Sequence, residues 1–308
     1  MLGRGSSKKR MILCNAVYRG SNVPKSERML TYSTVFYCVN EGKSMQVRNS
    51  ITSKDEKLTN VQLRDQWNNI DWKKVEKHVN RLQVRITKAV KEGKWFLVKK
   101  LQYLLTHSYY AKLLAVRKPT QNTGKRTAGV DGETWSSSEA KGKAAHNLTD
   151  KKYVAKPLKR VFIEKPGKKK KRPLGIPTMY DRAMQSLHAL ALEPIAEAMG
   201  DRTSFGFRKF RSTHDAREQV FVCMCREDSP EWALEGDIKG CFDNISHQWL
   251  IDNIPMDKSV LKQFLKAGYI FERQLFPTEA GTPHGGIISP ILANITLDGI
   301  EKLLADKY

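Results

Sequence analysis

Acidic residues are scarce in this chain: 32 Asp and Glu face 54 Lys and Arg, a formal charge of +22 over 308 residues. That balance makes a polyanion the default partner, nucleic acid first. Charge alone leaves an enzyme, a purely electrostatic binder and a membrane-surface protein open. Cysteine is scarce as well. The five, Cys14, Cys38, Cys223, Cys225 and Cys241, are odd in number and scattered, which argues against a disulfide framework and fits a reducing compartment. Cys223 and Cys225 stand too close for a usual zinc pair, and no second pair completes a tetrahedral site. Long apolar runs are missing too: none approaches the roughly 20 residues needed to span a bilayer, so no membrane partner is expected. The 40% hydrophobic content still supplies material for real cores.

Residues 1–60 read as a basic leader, in which Arg4, Lys8, Lys9, Arg10, Arg19 and Lys25 precede the first acid, Glu27. A targeting segment and an in-frame upstream extension both fit that composition. Residues 61–150 read as helical. Trp72, Val75, Val79, Leu82, Ile86, Ala89 and Val90 recur at three- and four-residue spacing with Lys and Arg between them, the pattern of an amphipathic helix. Gly93 breaks it, and Phe96, Leu97, Leu101, Leu104, Leu105 and Leu113 continue as a second helix towards Pro119. The following TQNTGKRTAGVDGETW is a structured loop that offers Lys125 and Arg126, with Gly129 and Gly132 allowing close backbone approach.

The densest charge lies in residues 151–177. The strand-like Val161–Phe162–Ile163, a turn at Pro166–Gly167 and a second strand over Pro173 to Ile176 make a basic hairpin. Lys168, Lys169, Lys170 and Lys171 sit near its tip, placed to grip phosphates; a nuclear-import tract is the alternative. A helix is expected from Asp181 to Met199, with Ala183, Leu187, Leu190, Ala191 and Ile195 inward and Gly200 at its end. In SFGFRKFRSTHDA, Phe205, Phe207 and Phe210 alternate with Arg208, Lys209 and Arg211. Interleaved rings and cations suit base stacking with phosphate contact, and the rings as core with only the arginines outside is the competing reading. Another helix follows from His214 to Cys225.

Trp232 to Gly236 is expected to run as a strand into Asp237, with Phe242 and Asp243 beyond. A carboxylate at a strand end can hold a divalent metal, and can equally cap a turn. In GTPHGGIISPILANITL a glycine-rich loop enters an apolar helix; its amides suit a base, sugar or phosphate.

In order and spacing, these blocks resemble the group II intron-encoded reverse transcriptase and maturase proteins, over residues 67–308. TQNTGKRTAGVDG is similar to the family's N-terminal extension, RVFIEKPGKKKKRPLGIPT and FGFRKFRSTHDA to its fingers, and EGDIKGCFDNISH and GTPHGGIISPILANI to its palm. The resemblance implies an α/β fold of the right-hand polymerase type: a helical extension over 61–150, fingers over 151–232 and an incomplete antiparallel palm over 233–308. It implies RNA-directed DNA synthesis together with binding of intron RNA for splicing. Asp237 matches the first metal-binding aspartate, with the Ile238 carbonyl as a second ligand, for a pair of Mg²⁺ ions. Lys165 and Arg172 match residues that neutralise the incoming triphosphate, Phe242 the one that excludes its 2′-hydroxyl, and His284 and Gly285 the loop beneath the nucleotide. Lys125, Arg126, Lys168 to Lys171, Arg208 and Arg211 are the expected RNA contacts.

This sequence departs from the family twice. His284 stands where Gln is usual, and the YxDD block, expected to bring two more aspartates, does not occur in it. By itself the chain is therefore expected to be inactive as a polymerase. Its expected partners are RNA, a template–primer duplex, and either a second chain that completes the palm or a larger ribonucleoprotein. The rival reading is a non-catalytic RNA-binding remnant that serves as a splicing cofactor or ribonucleoprotein subunit. The compartment follows the host: bacterial cytoplasm, mitochondrion or chloroplast.

Overall fold

The computed structural model of the chain describes residues 58–165, 167–227, 229, 233, 235–282 and 285–307, and only the backbone at Lys165 and at Lys168 to Lys170. The leader read over residues 1–60 lies almost wholly outside the described residues.

Helix α1 (Asn60–Asn68) begins in a capping box: the Gln62 N–H donates to the Thr59 hydroxyl at 3.3 Å, and the Thr59 N–H donates to the Gln62 side chain at 2.8 Å. Helix α2 (Trp72–Lys91) is capped by Asp71, which accepts from the Lys74 N–H at 3.1 Å. It buries the expected stripe, Val75, Val79, Leu82, Ile86, Ala89 and Val90. Each fully buried aliphatic side chain stabilises by about 1.5–3 kcal/mol. A Schellman turn ends α2, with Lys94 N–H to Ala89 O and Gly93 N–H to Val90 O both at 2.9 Å.

The single helix expected from Phe96 towards Pro119 is in fact two, α3 (Trp95–His107) and α4 (Tyr109–Gln121), because Ser108 adopts extended backbone. Side chains stabilise this break. Thr106 Oγ1 donates to Gln102 O at 3.1 Å and His107 Nδ1 to Tyr103 O at 2.9 Å, occupying carbonyls of the last turn. The apolar pattern runs through the break undisturbed, since Leu101, Leu105, Leu113 and Val116 are all buried. Helix α5 (Ser138–Asn147) packs on α1 and α4.

The basic hairpin forms as expected but with longer strands, β1 (Leu158–Lys165) and β2 (Lys168–Ile176). Late in the chain, β3 (Tyr269–Phe271) and β4 (Gln274–Phe276) complete a four-stranded sheet of order β2-β1-β3-β4. The hairpin pairs β1–β2 and β3–β4 are antiparallel, whereas β1 and β3 run parallel. The sheet thereby ties the hairpin to the C-terminal third of the chain.

Helix α6 (Met179–Met199) starts two residues before the expected Asp181, where the Thr178 hydroxyl accepts the Asp181 N–H at 3.1 Å. Ala183, Leu187, Leu190, Ala191 and Ile195 are buried, and so are residues on its other faces. It packs on α2, α3, α4 and the later α11 (Ser289–Leu297). A helix buried on nearly every face belongs at the centre.

Helix α7 (Thr213–Met224) buries no residue. The strand expected before Asp237 is not formed among the described residues: Ala233 and Glu235 to Ile238 are irregular, while Trp232 and Leu234 lie outside them. A strand needs a neighbour for its ladder, and no described segment pairs here. Short helices α8 (Cys241–Asn244), α9 (His247–Asn253) and α10 (Lys258–Lys266) follow, and α12 (Ile300–Lys307) comes last. A helical N-terminal region thus leads into a mixed α/β part. Among the described residues no helix is long and apolar enough to cross a membrane.

Candidate nucleic-acid and nucleotide site

The glycine loop that begins at Gly281 lies where four elements meet. The Gly281 N–H donates to Ile245 O at 2.8 Å and the Thr282 N–H to Phe242 O at 2.7 Å, which stitches the loop to α8. From α9, buried His247 reaches Gly281 O with Nε2 at 2.8 Å; a carbonyl only accepts, so Nε2 carries the proton. On the other side the loop meets β2, since a Cβ at Gly285 would stand 2.9 Å from Gly175 O and from Leu174 Cδ1. At Gly281 it would stand 2.6 Å from Phe242 O. With φ of +84° and +90°, both positions admit glycine alone. The Ile287 N–H then donates to Gln185 of α6 at 2.8 Å.

Asp237 stands on the irregular segment just before α8, exposed to solvent. It is close enough to Cys241 that its charge, added to the larger effect of burial, raises the thiol pKa. Ile238 is half exposed. Phe242 is half-buried and meets the Phe207 ring edge-on, with centroids 6.0 Å apart. Among the described residues no group of three or more His, Cys, Asp and Glu could hold a metal ion. Mg²⁺ takes six oxygens, several of them water. The Asp237 carboxylate and the Ile238 carbonyl would supply at most two of those oxygens and do not make a whole divalent site by themselves.

The β2 strand that meets the loop also carries part of the hairpin's charge. Arg172 is half-buried on β2, opposite Ile163. Lys165 and Lys168 pair across the tip by their backbones. Lys171 stands 3.6 Å from Glu164, an exposed pair that contributes little. The side chains of Lys165, Lys168, Lys169 and Lys170, and all of His284, lie outside the described residues.

Lys125 and Arg126 are exposed in a 3₁₀ turn, Thr123–Arg126. Behind it stands Arg182 of α6, which sequence reasoning missed. Its buried guanidinium donates to Gly124 O at 3.1 Å and Thr127 O at 2.7 Å, and its Nε to Pro177 O at 3.0 Å. Burial lowers its pKa, opposed by the charge of Asp131. Gly129 completes the fit, because a Cβ there would stand 2.7 Å from Thr178 Cα. Next to Arg182, buried Asp181 accepts from the Tyr153 hydroxyl at 2.7 Å and the Thr178 hydroxyl at 2.6 Å. Burial raises the Asp181 pKa, against those hydrogen bonds. No local signal marks Arg182, because two of the three carbonyls that hold it lie 55 and 58 residues away.

The two arginines of SFGFRKFRSTHDA have different surroundings. Arg208 is nearly buried, its side chain 7% exposed. Its guanidinium pairs with both Glu197 oxygens at 2.9 and 2.7 Å and donates to Ser204 O at 3.0 Å and to Asp201 O. Arg211 is partly open, lies 5.5 Å over the Phe205 ring and donates to Arg202 O at 3.2 Å.

Residues 67–148 match the N-terminal domain of reverse transcriptase, and residues 163–308 match the reverse transcriptase (RNA-dependent DNA polymerase) domain. The chain is 40% identical over 212 residues to the group II intron-encoded protein LtrA of Lactococcus lactis subsp. cremoris, covering 66% of this chain and 34% of that protein. It is 33% identical over 207 residues to protein YkfC of Escherichia coli (strain K12), covering 63% and 54%. To the maturase-like protein 1 of Euglena longa it is 25% identical over 252 residues, covering 77% and 52%. The aligned part thus spans about a third to a half of each of these relatives.

Proposed function

Because this chain belongs to the reverse transcriptases, in the group encoded by group II introns, we propose that it forms the N-terminal extension, fingers and leading palm of an RNA-templated DNA polymerase that also binds intron RNA for splicing. In this reading residues 61–150 are the extension, 151–232 the fingers and 233–308 the first part of the palm. The observation that carries it is the junction at Gly281: one loop touches both β2 of the basic hairpin and the α8 turn that follows Asp237. The loop thereby links a strand of the hairpin to the turn that follows Asp237, the carboxylate this reading assigns to chemistry.

Each residue takes the role that the family resemblance gives it. Lys165 and Arg172 neutralise the triphosphate, and Phe242, braced by Phe207, excludes a 2′-hydroxyl. Gly285 and His284 run beneath the nucleotide. Lys125, Arg126, Lys168 to Lys171 and Arg211 hold RNA phosphates; Arg208 shapes the loop on which Arg211 stands. Polymerases of this family use divalent metal ions. Two Mg²⁺ ions, when bound, stabilise the attacking and leaving oxygens of an in-line displacement, and Asp237 with the Ile238 carbonyl holds one side of that pair. The compartment is wherever the intron is transcribed, a bacterial cytoplasm or an organelle.

Two variants test the reading. Changing Lys168 to Lys171 together to Ala should weaken RNA binding across sequences and flatten its dependence on salt, by about 0.7–0.9 in log–log slope for each phosphate that is no longer neutralised. Asp237→Asn should leave RNA affinity nearly intact and abolish primer extension in a form that carries a complete palm. Full affinity in the first, or continued extension in the second, contradicts it.

A further inference from the structure

The segment between α6 and α7 holds a ring where folding gains nothing from it. Phe210 is fully exposed, and its backbone lies in the left-handed region at φ +61°. Phe207, three residues earlier, also sits there, at φ +57°. Bulky side chains rarely adopt that conformation, and a plain connector places Gly or Asn in it. Such strain persists only where the surroundings over-determine it, and here they do. Arg208 is clamped to Glu197 and to the carbonyls of Asp201 and Ser204. Lys209 pairs with Glu193, and Asn294 of α11 donates to Gly206 O at 2.9 Å. The three rings therefore separate: Phe205 lies under Arg211, Phe207 braces Phe242 of α8, and Phe210 is held out into solvent.

We propose that Phe210 is a stacking platform for an unpaired base of single-stranded nucleic acid passing the Asp237 site. A rigidly presented, fully exposed ring offers its face to any base, and base–aromatic stacking tolerates sequence. Arg211 beside it, and exposed Arg202, His214 and Arg217 nearby in the chain, complement the phosphates of such a strand. The inference rests on the nucleic-acid reading above and adds to it a ring and the kind of strand that ring takes.

The test uses the full chain with a labelled single-stranded oligoribonucleotide and, as control, a blunt RNA duplex. Phe210→Ala is expected to weaken single-strand binding about tenfold, to leave duplex binding unchanged and to keep the salt slope. Phe210→Trp should bind like the wild type, and Phe210→Leu like the Ala variant, since stacking needs a ring and not merely apolar area. Phe210→Gly releases the left-handed backbone, so its thermal midpoint should be no lower than that of the wild type while its affinity falls. Equal losses on duplex and single strand, or full affinity in the Leu variant, overturn the stacking role. So does an Ala variant that changes self-association and not RNA affinity. If Phe210→Ala binds normally while the Lys168 to Lys171 variant loses affinity, stacking alone fails; if neither loses affinity, the nucleic-acid reading fails with it.

Discussion

Replacing Arg182 by Met separates the support of the 3₁₀ loop from the charges that the loop displays. The substitution removes three donors, to Gly124 O, Thr127 O and Pro177 O. Gly124 and Thr127 are half or fully open and their carbonyls can take water, but Pro177 is buried. An orphaned buried carbonyl costs about 1–3 kcal/mol. Met fills much of the volume and carries no charge, which returns part of the desolvation that burial imposes on the guanidinium. The net loss should be about 2 kcal/mol, or roughly 5 °C in Tm for a chain of this size. The effect on RNA is separate. Lys125 and Arg126 keep their charges but lose a fixed position, so the salt slope of RNA binding should shrink by up to about 1.4–1.8 if each holds one phosphate. Arg182→Lys should fall between, because an ammonium cannot reach three carbonyls in a fixed fork. Thermal melts and RNA titrations at several salt concentrations read both quantities. A destabilised Met variant with unchanged affinity and slope would refute the claim that Arg182 positions this loop for RNA.

Three further outcomes follow from the geometry. Gly281→Ala puts a methyl 2.6 Å from Phe242 O at φ +84° and should cost about 2–4 kcal/mol in chemical denaturation; wild-type stability would mean the loop is not closely packed on α8. His188 is buried on α6 with Nε2 unpartnered, and burial depresses its pKa from 6.5 to about 4. Between those values the unfolded chain takes up a proton that the folded chain refuses, so stability should fall as pH drops through that window, by roughly 3 kcal/mol in all. His188→Gln should flatten that dependence. Phe221, Val222, Met224, Ile238, Trp249 and Leu303 are exposed, so the isolated chain should associate in sedimentation as concentration rises; a monomer throughout would contradict this.

Much of this fold is legible where local chemistry decides it. The α2 stripe, the basic hairpin and the glycine loop follow from periodicity and turn residues alone. The α3–α4 break at Ser108 does not, because the apolar spacing continues across it. The segment before Asp237 reads as a strand from its residue types, yet a strand is made by its partner, and none of the described residues supplies one. The site divides in the same way. Asp237, the hairpin lysines and the loop are visible as motifs. Arg182 owes its surroundings to carbonyls 55 and 58 positions away, and Arg208 to Glu197 on the preceding helix and to the loop carbonyls between them. No local pattern marks either as buried.

The central claim is that the hairpin, the glycine loop and the α8 turn form one cradle that brings nucleic acid to Asp237. It is tested most directly by photocrosslinking a template–primer with a photoreactive group on the primer's 3′-terminal nucleotide, followed by peptide mapping. Crosslinks to residues 236–244 and 281–289 are predicted, and they should weaken in the Lys168 to Lys171 variant. Crosslinks confined to α1–α5, or spread without preference over the basic surface, would contradict the account.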